Sequence, residues 1–476
     1  MRPLALVVAL LVVLAGCGGV TDSPAEPTAT AGPGTEPTAT GTPSPTTTTT
    51  TGAESGDGYD DPETDRLGWE AGRWYDEPLS TNAADGLNRS ERRAVVARTM
   101  ARVERLRGLE FESSVPVTVV DRETYRRQEN VTATAFDEVV WEALLLVGED
   151  RSVETVFESF YGVSVQGSYR PSEGRVVLVS DAAQPVIDRQ TLAHELVHAL
   201  QDQQFDLDGV REGATTRDER LARQGLIEGD AGYVAALYER RCESNWTCVP
   251  RPSAGPGASL DGDAGVYVAA YQPYSDGPAF VHHHRERGGW AAVNAAYTTP
   301  PTTAAAVIHP ERELDWSPRR VRVPDRSAGN WSRFDRSPPG TTVGEASLFA
   351  TVWANGGVET FHLQRPSRPY RAYNYTHPTT AGWAGDRLVP YRSADGRTGY
   401  VLRTEWATAD DAAAFAAAYR SLLRERRGAE HRRDGVLVVP AGPYTDAFRV
   451  TRDGQTVTVV NAPTVGSLDA VHARGD

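Results

Sequence analysis

The sequence predicts an α+β protein with a larger mixed domain at residues 59–325 and a smaller α+β domain at residues 326–476. Three observations predict it. Helically spaced segments alternate with short β-branched runs through the first half of the chain. A stretch near 319–339, rich in Arg, Ser, Pro and Asp, reads as a connection. Beyond it, four short strand-like runs accompany one alanine-rich helix. At 476 residues the chain has room for two or three compact cores.

The first elements concern address rather than fold. Arg2 precedes an apolar run from Leu4 to Leu14, which ends in Leu14-Ala15-Gly16-Cys17. That run is too short to span a bilayer and has the form of an export signal, residues 1–17. It resembles a lipobox, which implies a lipid anchor at Cys17 and a place on the outer face of the cell membrane; two acyl chains hold a protein there where one barely does. An ordinary signal peptide cleaved elsewhere is the alternative. Residues 18–58 are dominated by Thr, Pro, Ser and Gly, with an unbroken Thr46–Thr51 run, and can form no core. Such a stalk reaches on the order of 100 Å if near polyproline II. Sequons start at Asn88, Asn130, Asn245, Asn330 and Asn374 and make surface glycans plausible on an exported chain.

The globular part begins near Trp69. Helical spacing covers Ser90–Leu106 and Ala135–Leu146, strand patterns cover Pro116–Val120 and Arg175–Ser180, and a helix starts at Arg189. Further helices are expected over Asp218–Tyr238, Phe280–Arg287 and Trp290–Tyr297. In the last third the strands are Gly399–Glu405, Gly435–Val439, Ala447–Thr451 and Thr456–Val460, with a helix over Ala409–Arg426.

Forty-nine basic against 64 acidic side chains give a net charge of −15, and every basic residue except the histidines is arginine. Such a surface makes nucleic acid a poor partner. An acidic, lysine-free chain fits a salt-loving cell, although a biased genomic base composition also replaces Lys by Arg. Of the three cysteines, Cys242 and Cys248 lie in a polar loop and are expected to pair in oxidising surroundings; a two-thiol metal site lacks completing ligands nearby.

The chemistry concentrates in Thr191-Leu-Ala-His194-Glu195-Leu-Val-His198-Ala-Leu-Gln-Asp202. On a helix, His194 and His198 share a face, so both rings reach one ion with Glu195 beside the first. From the frequencies of His and Glu, the five-residue pattern arises by chance in roughly one chain in a hundred of this length. The bland alternative is a helix with two unrelated histidines and a solvated carboxylate. Zinc favours imidazole and carboxylate ligands, and a catalytic site adds a third protein ligand and an open position. Glu228, in Leu226-Ile-Glu-Gly-Asp-Ala231 on a second helix, is the choice, since Gly229 permits close approach of helices. Asp230 is the rival, and Asp202 is placed to orient a ligating ring.

With those residues in view, the order of strand, His194-Glu195-Leu-Val-His198-Ala-Leu-Gln-Asp-Gln and Glu228-Gly-Asp-Ala resembles the gluzincin branch of zinc metallopeptidases. It is especially similar to exported surface lipoproteins, of the kind found in halophilic archaea, that carry an HELVHALQDQ helix. The likeness runs from Leu106-Arg-Gly-Leu109 and Tyr169 through Gly289-Trp290, Asn294, Tyr297 and Ile308-His309-Pro310 to Gly382-Trp-Ala-Gly-Asp386. It implies a zincin-like catalytic domain, one Zn2+ held by His194, His198 and Glu228, Glu195 as base, and a peptide or protein substrate. One departure is Gly232, where thermolysin-like gluzincins place an acidic residue. His309 is a candidate oxyanion donor, backed by Tyr297 or Tyr271, or else a packed histidine. The run His282-His283-His284 points its rings in different directions on a helix, and the terminal Arg474-Gly475-Asp476 reads as a frayed polar end. The expected function is cell-surface peptide hydrolysis; the alternative is a surface binding or envelope-structural lipoprotein on the same scaffold without turnover.

Overall fold

Where β-branched runs alternate with charged helical ones, the chain builds a small sheet wrapped in helices. The computed structural model describes residues 62–81, 86–128, 131–182, 184–251, 263–312, 317–432 and 435–475. The export signal with Cys17, the stalk and the Asn130 sequon lie outside them. A ribbon of β1 (Trp69–Glu70) and β2 (Arg73–Trp74) leads into α1 (Arg89–Arg107), then β3 (Val117–Val120), α2 (Arg122–Gln128), α3 (Ala135–Ala143) and α4 (Val153–Ser164). Strands β4 (Gly167–Arg170) and β5 (Arg175–Val179) follow. They complete a three-stranded sheet of order β3-β5-β4, with β3 parallel and β4 antiparallel to β5.

Five helices come next: α5 (Arg189–Phe205), α6 (Leu207–Arg211), α7 (Arg217–Ser244), α8 (Ala264–Thr298) and α9 (Ala304–Ile308). Each long one starts where the sequence supplies a cap. Asp188 accepts from the Gln190 and Thr191 amides at the head of α5, and Thr216 and Glu219 form a reciprocal capping box on α7. Helix α5 is buried on every side from Thr191 to Gln201, which leaves its polar groups to be satisfied inside the protein.

The rest of the chain comprises β6 (Trp331–Arg333), α10 (Gly344–Ala354), α11 (Thr360–Leu363), β7 (Trp383–Ser393), β8 (Thr398–Trp406), α12 (Ala409–Glu425), β9 (Glu430–His431), β10 (Val436–Val438), β11 (Ala447–Asp453), β12 (Thr456–Ala462) and α13 (Leu468–Val471). Its strands form one antiparallel sheet of order β6-β7-β8-β12-β11-β10-β9. The fold is therefore α+β. Its two halves share a core: Phe136 and Trp141 of α3, Tyr267 of α8 and Phe349 of α10 join one apolar cluster with Leu402, Phe415 and Val459. Among the described residues, no helix is long and apolar enough to cross a membrane.

Candidate metal centre

Helices α5 and α7 each bring polar groups to one buried point. His194 and His198 stand one turn apart on α5, with Nε2 atoms 3.1 Å from each other. Glu228 of α7 places Oε2 3.1 Å from His194 Nε2 and 3.3 Å from His198 Nε2. Four-coordinate zinc with ligand distances near 2.0 Å needs ligand atoms about 3.3 Å apart, so this triangle matches the edge of that tetrahedron. The donor set, two imidazoles and a carboxylate, also suits zinc.

The remaining atoms of the three side chains are held in place. His198 Nδ1 lies 2.8 Å from Gln201 Oε1, and Gln201 Nε2 donates to the Ile227 carbonyl at 2.9 Å, which ties α5 to α7. Glu228 Oε1 accepts from Gln224 Nε2 at 2.6 Å and from the Tyr274 hydroxyl at 3.2 Å, leaving Oε2 to face the rings. Burial works against the charge on Glu228, but the imidazoles of His198 and His194 outweigh it and hold the carboxyl well below the usual carboxylate range. Burial lowers His194, while His198 rises in spite of burial because the Glu228 carboxylate faces it. An ionised carboxylate between two imidazole nitrogens is the charge state that a divalent cation takes up.

Glu195 differs from its neighbours. No side chain hydrogen-bonds its two buried carboxylate oxygens, the backbone N–H of Tyr169 lies near them, and burial pushes the group up to about 8. So sparsely paired an acid is costly unless a charge or a reacting group is to face it. Gly167 of β4 makes room for it: a Cβ there would sit 3.2 Å from Glu195 Cγ and 3.0 Å from side-chain atoms of Leu178 and Thr191. Exposure is 4% for His194, 0% for Glu195 and His198, and 1% for Glu228, so all four side chains are buried.

The other sequence candidates have different places. Asp230 is held by Arg107 Nε at 3.0 Å and by the Tyr297 hydroxyl at 2.8 Å, and so does not join the triad. Asp202 accepts from the Tyr169 hydroxyl and from the Leu207 amide; the residue that orients a ring is its neighbour Gln201. His309 Nε2 faces the Glu345 carboxylate at 2.9 and 3.1 Å, and none of its hydrogen bonds or ion pairs among the described residues reaches the triad. Tyr271 stacks between Tyr267 and Tyr274, and the Tyr274 hydroxyl donates to Glu228. Among the described residues the His282–His284 run enters no cluster of metal-capable side chains. Cys242 and Cys248 form a disulfide. Asn88, Asn245 and Asn330 are exposed, and Asn374 is half-buried.

Sequence reasoning missed Gln201, Gln224 and Tyr274. The two glutamines had a signal, since they sit three residues after His198 and four before Glu228, the spacings at which helical side chains meet. Tyr274 had none, because its contact spans 46 residues.

Residues 332–472 match a family described as a domain of unknown function (DUF8575). That stretch carries the seven-stranded sheet and includes neither α5 nor α7. No curated protein and no solved structure matches the chain.

Proposed function

We propose that the chain is a zincin-like zinc metallopeptidase of the gluzincin type, exported, lipid-anchored at Cys17 and acting on peptides or proteins at the cell surface. The single observation that carries this reading is the convergence of His194, His198 and Glu228 on one point, beside a buried Glu195 whose carboxylate no side chain hydrogen-bonds. Zinc bound there would polarise a carbonyl and acidify a water molecule. The chain's own part is to keep the donors in register and to move a proton. Gln201 holds His198 with Nε2 inward, and Gln224 and Tyr274 hold Glu228 by its outer oxygen. Glu195 is the group placed to accept a proton and return it to a leaving amine.

Burial of these side chains favours a second reading, in which zinc pins α5 to α7 on a surface protein that performs no hydrolysis. Digestion of a peptide library by the purified full chain in high salt, with Glu195→Gln alongside, separates the two. Peptidase action predicts cleavage that falls about 10²–10⁴-fold in Glu195→Gln while zinc is retained. Absence of cleavage by the zinc-loaded wild type, or equal cleavage by the variant, removes the enzyme reading.

A further inference from the structure

A second site lies apart from the metal centre. A cavity of about 1090 Å³ opens where the segment 317–325, the first turn of α7, the prolines 338 and 339 and the start of β7 meet. None of the metal-centre residues lines it; along α7, Asp218 on its wall is about 15 Å from Glu228. The arginines on its walls are Arg319, Arg320, Arg322, Arg333 and Arg387, and the carboxylates are Asp218, Glu219, Asp325 and Asp386.

The two signs are not equally engaged. Glu219 accepts from the Thr215 and Thr216 amides and the Thr215 hydroxyl, completing the cap of α7. Asp386 accepts from the Val343 and Gly344 amides and from Trp383 Nε1. Asp325 takes the Ser327 amide and hydroxyl, with Arg333 at 3.5 Å. Asp218 takes the Ala304 amide, and burial pushes its carboxyl well above the ordinary range. Glu219, Asp325 and Asp386 are thus spent on local structure, and Asp218 is engaged through Oδ1 while its buried Oδ2 has no hydrogen-bond partner. Arg319 is likewise spent on the Trp406 carbonyl and Gln455, and Arg333 on the Tyr391 hydroxyl and the Val323 carbonyl. Arg320, Arg322 and Arg387 are different: no hydrogen bond or ion pair engages them among the described residues. Arg387 is half-buried, and burial weighs against its charge more than the nearby Asp386 and Glu219 carboxylates favour it.

We infer that this cavity binds a small polyoxyanion, a molecule bearing two or more phosphate or sulfate groups, gripped by Arg320, Arg322 and Arg387. Guanidinium matches such groups with paired N–H donors, and the volume is that of a small-molecule site. The chain as a whole carries −15 and repels anions at a distance, so the positive charge here is local; Arg387 is half-buried, whereas Arg320 and Arg322 are exposed and their contribution weakens with added salt. The assignment is independent of the metal centre and of any turnover there.

Calorimetric titration of the full chain tests it, with inorganic pyrophosphate, inorganic sulfate and a hexose bisphosphate as separate probes at fixed salt. One saturable site per chain is expected for pyrophosphate or the hexose bisphosphate, and which of them binds more tightly tells a free ion from an organic ligand. The double variant Arg322→Gln/Arg387→Gln should weaken it by about tenfold or more, and Arg126→Gln, an exposed change on α2, should leave it unaltered. If the double variant does not fold, Arg320→Gln, at an exposed position, decides in its place with a loss of about threefold or more. No saturable binding of any probe, binding unaffected by these substitutions, or equal weakening by Arg126→Gln would overturn the assignment.

Discussion

Gln201 carries more of the metal centre's geometry than its sequence context announces. It receives His198 Nδ1 on one side and reaches the Ile227 backbone on the other, so it fixes both the ring and the approach of α7. Removing such a partner leaves the ligand present but badly aimed. Gln201→Leu is expected to lower zinc affinity about 10–100-fold with little change in fold, as read by competition with a fluorescent chelator. At this scale the meeting of His194 and His198 was legible, because residues four apart share a face of a helix. The choice between Glu228 and Asp230 was less so, since both lie on α7 two residues apart. It is decided by a buried arginine, Arg107, from α1, which no local pattern links to Asp230.

Helices α7 and α8 cross at Gly229 and Gly277, where a Cβ on either would run into the backbone of the other. The sequence pointed to Gly229 as the residue that lets helices meet at the metal. The helix it admits is α8, whose Tyr274 supports Glu228, while α5 approaches through Gln201. Gly229→Ala is therefore expected to wedge the pair apart at a cost of about 1–3 kcal/mol and to weaken zinc as Glu228 shifts. Thermal denaturation with and without zinc checks both effects: the variant should melt lower and gain less from the metal. An unchanged melting temperature would contradict the crossing. Helix α8 itself was only half legible. Its sequence reads as two helices beginning at Phe280 and Trp290, whereas it starts at Ala264, runs through Pro273 and Pro278, and breaks at Gly288-Gly289. Two prolines cost helix hydrogen bonds locally, and packing against α7, α9 and α10 overrides that cost.

Across the whole molecule the two halves are joined by shared burial, which a boundary drawn between 325 and 326 does not convey. The stretch 319–339, read as a connection, carries β6 of the sheet, and the apolar face that α3 turns to that sheet was not legible, because its partners are some 250 residues or more away. At the same junction the carboxylates of Glu142, Glu149 and Asp446 lie within 4.8 Å of one another. Burial, aided by like charge from Glu149, pushes Asp446 up to about 6, and burial with Asp446 beside it pushes Glu142 well above the ordinary range. The folded state thus keeps protons that the unfolded chain releases near pH 4. Stability from Asp446 is complete below about pH 4 and is lost as pH rises through about 6, and that from Glu142 is lost at higher pH. Asp446→Asn should flatten that fall, as measured by denaturant unfolding at about pH 4.5 and pH 7.5; parallel losses in wild type and variant would contradict it. The proposed ligands are buried in the same fold, so if zinc is held there chelators should strip it slowly. Zinc content per chain decides the central claim most directly, measured after loading and gel filtration for the wild type and Glu228→Ala together. One zinc per wild-type chain and almost none in the variant is the predicted result; a zinc-free wild type, or a variant that keeps its full zinc, would contradict it.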